Sequence, residues 1–187
     1  MDKTKVIAAW SKCKFEIAKT PDTDTMPDSL TDIGVIKDKS STLEATDGET
    51  LELKATGGIT VAEETQEGGY ELSTRVIEPT FELLTLLGLG EVAGEDDFDV
   101  KTHVVDGEWA VKVTPKNLGA IGLKAPKTTI TYKPGWNEEE GNYADIKFKI
   151  IFSTVTNKWY TRFKRKATDT LSAPTGQQVA IAKTSAK

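Results

Sequence analysis

Few residues in this chain are of types that could carry out chemistry. His103 is the only histidine and Cys13 the only cysteine in 187 residues. A thiol and an imidazole act as nucleophile and base when a fold brings them together, but nothing in the sequence around either residue supports that pairing. One histidine and one cysteine also fall short of a zinc ligand set. The run "GEDDFD" gathers Glu95, Asp96, Asp97 and Asp99. These could meet calcium, yet the alternating ligands, glycine and later glutamate of an EF-hand loop are missing. "GLGEVAG" places its glycines after a predicted helix. A dinucleotide fingerprint has a strand before it and a helix after it, so this run reads as a helix stop.

Two further groups invite a chemical reading. Glu63, Glu64, Glu67, Glu71 and Glu78 crowd into "GGITVAEETQEGGYELSTRVIEP", where paired carboxylates would suit glycoside hydrolysis. On the polar side of strands such residues are ordinarily solvated. The stretch "KFKIIFSTVTNKWYTRFKRK" mixes cations with Trp159, Tyr160 and Phe163, the composition of a single-strand nucleic-acid surface. Its alternation assigns Trp159 and Phe163 to a core or an interface instead. The chain is therefore expected to be no enzyme and to hold no cofactor or metal.

The elements that must position these residues are mostly strands. Period-two alternation runs through "ETLELKA", "GYELSTRVIE", "FDVKTHVV", "EWAVKV", "TTITY", "ADIKFKIIF" and "KWYTRFKR", the pattern of antiparallel sheets with one buried face. Turn signals at Asp47-Gly48, Gly57-Gly58, Gly68-Gly69, Asp106-Gly107 and Pro134-Gly135 separate them. "VVDGEW" is the clearest predicted hairpin. One short helix is predicted over about residues 79–88, with Phe81, Leu84 and Leu87 as its apolar stripe, widened by Leu83 and Leu86. Residues 20–48, rich in Pro, Asp, Ser and Thr, read as a long irregular loop. The expected fold is mainly β: an antiparallel sandwich or barrel with one flanking helix and a long N-terminal loop. Residues 1–166 make its single domain, and residues 167–187 a C-terminal extension flexible by composition.

The net charge of −5 is unevenly placed. It is +3 over residues 1–20, −16 over 21–100, zero over 101–145 and +8 over 146–187. Opposite blocks of this size suit each other, within a chain or between copies. No apolar run approaches the roughly 20 residues of a membrane helix. Val6–Trp10 is too short an apolar stretch for a secretory signal, and a lone cysteine leans towards a reducing compartment.

The order of elements resembles the tail tube proteins of long-tailed bacteriophages, and more distantly the inner tubes of contractile injection systems. The likeness spans roughly residues 30–155: a loop ending in "DIGVI", a strand, the acidic hairpin, the helix "TFELLTLLG", then hairpins ending in "GNYADIKFKIIF". It implies a β-sandwich with a flanking helix and six copies per ring. Rings stack into a tube that binds other tail proteins and passes double-stranded DNA without specific contacts. The protein would be made in the host cytoplasm and reside in the virion tail, with no membrane partner.

Such a wall should repel phosphate, because a cationic one would bind the DNA backbone through counterion release. Glu52, Glu64 and Glu71 are the expected lumen-facing acids, with Leu51, Leu53, Ile59 and Val61 on the core side of the hairpin. Lys147, Lys149, Arg162, Lys164 and Arg165 are the expected contacts between copies. Two other readings compete: a nucleic-acid-binding β module using the basic C-terminal stretch, and an adhesin-like extracellular sandwich, which would call for a secretion signal.

Overall fold

The computed structural model describes residues 13–48, 50–65, 67–94 and 96–169. The N-terminal stretch Val6–Trp10, Glu95 and the tail beyond residue 169 lie outside them. The chain runs β1 (Lys14–Lys19), β2 (Thr31–Asp32), β3 (Val35–Ile36), β4 (Thr42–Ala45), β5 (Thr50–Lys54), β6 (Thr60–Thr65) and β7 (Tyr70–Ile77). Then come α1 (Phe81–Leu86), β8 (Gly90–Val92), β9 (Phe98–Val100), β10 (Trp109–Thr114), β11 (Ile121–Asn137), β12 (Gly141–Ile150) and β13 (Thr161–Lys164).

Nine strands form one antiparallel sheet. Its main path is β2-β1-β10-β11-β12-β7-β3, with β13 beside β11 and β4 beside β7. The sheet curls into a half-barrel, and the described residues are mainly β with a single short helix, as the alternation led one to expect. Period-two patterning explains the curl. Val111, Ile130, Ile146, Phe148, Leu72 and Val76 all point inward and are buried, so the sheet bends around one apolar face. Phe15 of β1 reaches Phe148 of β12 across the core, ring centroids 6.5 Å apart.

The helix closes one side of this core. Thr80 caps it, its hydroxyl accepting from the Leu83 amide at 3.3 Å. Leu83, Leu84 and Leu87 are buried. Phe81, expected on the apolar stripe, is instead exposed and stacks on Phe98 at 5.5 Å.

Several expectations are overturned. β1 was not anticipated, although Phe15 and Ile17 alternate with Lys14 and Glu16 and are fully buried. The loop of residues 20–48 carries β2, β3 and β4 and buries Ile33. "FDVKTHVV" is a strand only over Phe98–Val100, paired with β8. The Lys101 and Thr102 amides both turn back to the Leu89 carbonyl, which ends it, and Val100 and Val104 are exposed. Asp106-Gly107 is a turn with Gly107 at positive φ, but it joins no β9–β10 hairpin. Pro134-Gly135 is no turn at all. Both residues lie inside β11, paired with Ala144 and Tyr143. The last β10 partner on β11 is Thr128, so Pro134 sits where the strand has β12 on one side only, and its missing amide is tolerated. The reversal comes later, where Asn137 accepts from the Glu140 amide and Gly141 takes positive φ.

Candidate assembly surfaces

β5 and β6 stand apart from the main sheet as a hairpin of their own. Gly57 and Gly58 both adopt positive φ at its tip, a conformation that makes the tight reversal accessible. Every described residue of the two strands is exposed. Leu51, Leu53, Ile59 and Val61, expected on a core side, are 48, 65, 70 and 64% exposed. The sequence alternates correctly for a sheet face, but the described residues supply no layer to cover it.

The register sorts the hairpin's side chains. Leu51 lies opposite Glu64, Glu52 opposite Glu63, and Leu53 opposite Ala62; directly opposed residues share a face. A bulge then slips the pairing so that Lys54 meets Thr60. Beyond it the Ala55 amide donates to the Ile59 carbonyl at 2.8 Å, which returns Ile59 to the face of Leu51 and Leu53. One face is thus apolar with Glu64 at its margin. The other is polar, with Glu52 and Glu63 side by side and Lys54 2.7 Å from Glu52. This corrects the expectation that Glu52 and Glu64 line one wall: they lie on opposite faces, and Glu63 is the true companion of Glu52.

Glu71 belongs to a different surface. It sits on β7 across from Lys149 and Glu44, and Lys147 donates to its carboxylate at 2.6 Å. That contact raises the Lys147 pKa above the ordinary lysine value. Lys147 therefore offsets the charge of Glu71.

The expected basic contacts also divide. Lys147 and Lys149 are exposed on the outer face of β12. Arg162 and Lys164 lie on β13, opposite Leu123 and Ile121, and are exposed. Arg165 is half-buried; its amide donates to the Ala120 carbonyl and its guanidinium to the Asp169 carbonyl at 3.4 Å. It serves this chain's own fold. Phe163 covers Gly122, where an added Cβ would stand 2.7 Å from the ring. The Lys124 ammonium lies 4.8 Å from its centroid. Trp159 packs edge-on against Tyr70 at 5.7 Å and Phe152 at 5.4 Å. Both rings are therefore engaged within the fold.

An ion network that the sequence analysis missed ties the loop to the sheet. Arg75 grips Asp145 through two hydrogen bonds of 2.7 and 3.0 Å and reaches Glu140 at 2.9 Å; Glu140 also pairs with Lys37. The Asp145 hydrogen bond raises the Arg75 pKa. Cross-strand register, which places Arg75 opposite Asp145, is the signal that would have found it.

For the catalytic candidates, the geometry offers no activation. Burial raises the Cys13 thiol pKa, opposite to what a nucleophile needs. His103 is exposed beyond the end of β9. Among the described residues no three His, Cys, Asp or Glu side chains gather as a metal site. No family model matches the chain, and no curated protein matches it.

Proposed function

We propose that this protein is the structural subunit of a phage tail tube: copies join into six-fold rings, and the rings stack into a conduit for double-stranded DNA. The observation that carries the reading is the β5–β6 hairpin. Its apolar row of Leu51, Leu53 and Ile59 faces solvent in a single chain, and contiguous exposed apolar surface of this kind belongs to an interface. The half-barrel is in keeping with it, since strand edges left open in one chain are closed when copies surround a common axis. The polar face of the hairpin, with Glu52 opposite Glu63, is the segment we place towards the channel. It has no catalytic partner among the described residues; Lys54 offsets Glu52, so Glu63 supplies the net negative charge that repels phosphate.

The nucleic-acid module is the second reading, favoured by the exposed Arg162 and Lys164. It predicts retention of single-stranded DNA by a monomer or dimer. The tube reading predicts assemblies and no tight DNA binding. Electron microscopy of the purified chain, read beside a DNA-retardation assay, tests the first against the second.

A further inference from the structure

We infer that the apolar face of the β5–β6 hairpin docks head-to-tail on the β13 edge of a second copy, around Ile121, Arg162 and Lys164. The tube reading supplies the occupant, another copy of this chain; the residues and the polarity of the contact come from the two surfaces themselves.

The two surfaces complement each other in shape of charge and in hydrophobicity. The hairpin presents Leu51, Leu53 and Ile59 with Glu64 at the margin. Glu44 and Glu67, also exposed, flank its base. The β13 region presents Ile121, 59% exposed, and Leu118, 56% exposed. Ile121 lies directly opposite Lys164, and Leu123 opposite Arg162, so the two cations rim the apolar centre on one face. Residues 116–124 and 158–166 contain seven cations and not one carboxylate. Asp169 stands against Arg165 and Lys166, but Arg162 and Lys164 on the face of Ile121 leave that rim positive, whereas Glu64 leaves the margin of the hairpin's apolar face negative. Apolar burial supplies affinity in such a contact, and the rims select the partner and its orientation.

The backbone fits as well. β13 pairs only with β11 among the described strands, which leaves its outer edge open to another chain. Among the described residues the hairpin is two-stranded, so each of its strands has an unpaired edge there too. Used head-to-tail, with each copy offering its hairpin to one neighbour and its β13 edge to another, the contact propagates from copy to copy. A hairpin-on-hairpin contact would set Glu64 and its flanking glutamates against their own kind.

Two variants and their mixture test this by sedimentation velocity. One carries Leu53→Asp with Ile59→Asp; the other carries Ile121→Ser with Arg162→Glu. All four positions are exposed, so both variants should keep the wild-type circular dichroism and melting temperature. Each alone should self-associate at least about tenfold more weakly than wild type, the factor expected on losing one or two buried aliphatic side chains. An equal mixture should form a complex twice the mass of the unit each variant makes alone, and nothing larger, because one intact hairpin meets one intact β13 edge. Variants that assemble like wild type, or a mixture that stays at the mass of the separate units, would overturn the inference. A wild-type chain that remains monomeric at every concentration overturns both this contact and the tube. Paired variants in the mixture, alongside a wild type that forms no rings or tubes by microscopy, would uphold the contact and sink the tube reading alone.

Discussion

Asp24 accepts a 2.8 Å hydrogen bond from the Ser153 hydroxyl across 129 residues of chain. Both residues are buried, and Lys127 adds a cation 3.3 Å from the same carboxylate. Ser153 in turn receives the Thr156 amide at 3.1 Å. One acid thus fastens the long N-terminal loop to β11 and to the segment leading into β13. Asp24 itself holds positive φ, a backbone state that aspartate tolerates better than most residues. Replacing it leaves a buried hydroxyl and a lysine short of a partner. Asp24→Ala should therefore cost about 2–4 kcal/mol, read as a lowered urea midpoint at unchanged slope. A variant as stable as wild type would mean that the latch contributes nothing to the fold.

Gly135 and Tyr143 make a second cross-strand lock. A Cβ at Gly135 would stand 2.4 Å from the Tyr143 ring, and the ring carries the Arg75 guanidinium 4.2 Å from its centroid. Arg75 cannot follow a displaced ring without loosening Asp145 and Glu140. Gly135→Val should destabilise by roughly 1–3 kcal/mol. Gly135→Val in a Tyr143→Ala background should cost much less, because the obstructing ring is gone. Equal losses in both backgrounds, measured by thermal denaturation, would contradict the lock.

Alkaline pH should weaken the fold through four groups. Hydrogen bonds to Glu108 and then Asp24 raise Lys127, and Glu71 raises Lys147, above the ordinary 10.5. Burial raises Tyr132 above 10.0 and Cys13 above 9.0. A group whose folded pKa is raised contributes stability in full below its unfolded value and loses it as pH climbs through the folded one. The urea midpoint should accordingly fall as pH rises past about 9 and fall further past about 10.5. A midpoint constant from about pH 8 to pH 11 would contradict this expectation.

The sequence made the β architecture legible because the inward rows of β7 and β12 alternate without interruption. Leu72, Thr74 and Val76 are all buried as their parity requires. Parity failed where burial depends on a second layer. Leu51 and Leu53 alternate just as well as Val111 and Val113, yet none of the described residues covers them. The pairing of Glu52 with Glu63 was hidden for another reason: apolar Ile59 and Val61 drew the odd positions of the second strand to the side of Leu51 and Leu53, whereas the register sets Ala62 and Glu64 opposite Leu53 and Leu51. Pro134-Gly135 misled because turn chemistry is local, whereas the tolerance for proline there comes from an absent neighbouring strand. Asp24 looked like one more loop acid, since its partners are more than 100 residues away.

The channel proposal makes its own demand on the hairpin's polar face. Glu52→Lys with Glu63→Lys should leave folding almost unchanged, because exposed positions usually shift stability by no more than about 0.5 kcal/mol. The same change turns a repelling strip into one that binds phosphate. Particles carrying it should have tails of normal length and eject their genomes slowly or incompletely. Ejection at the wild-type rate through normal tails would remove these two glutamates from the channel.

The central claim is an assembly, and electron microscopy of the purified chain tests it most directly. Side views should show tubes of stacked rings, and end-on class averages should show six-fold symmetry around an open channel. A homogeneous population of isolated monomers or dimers, at concentrations well above those of the sedimentation experiments, would contradict the account.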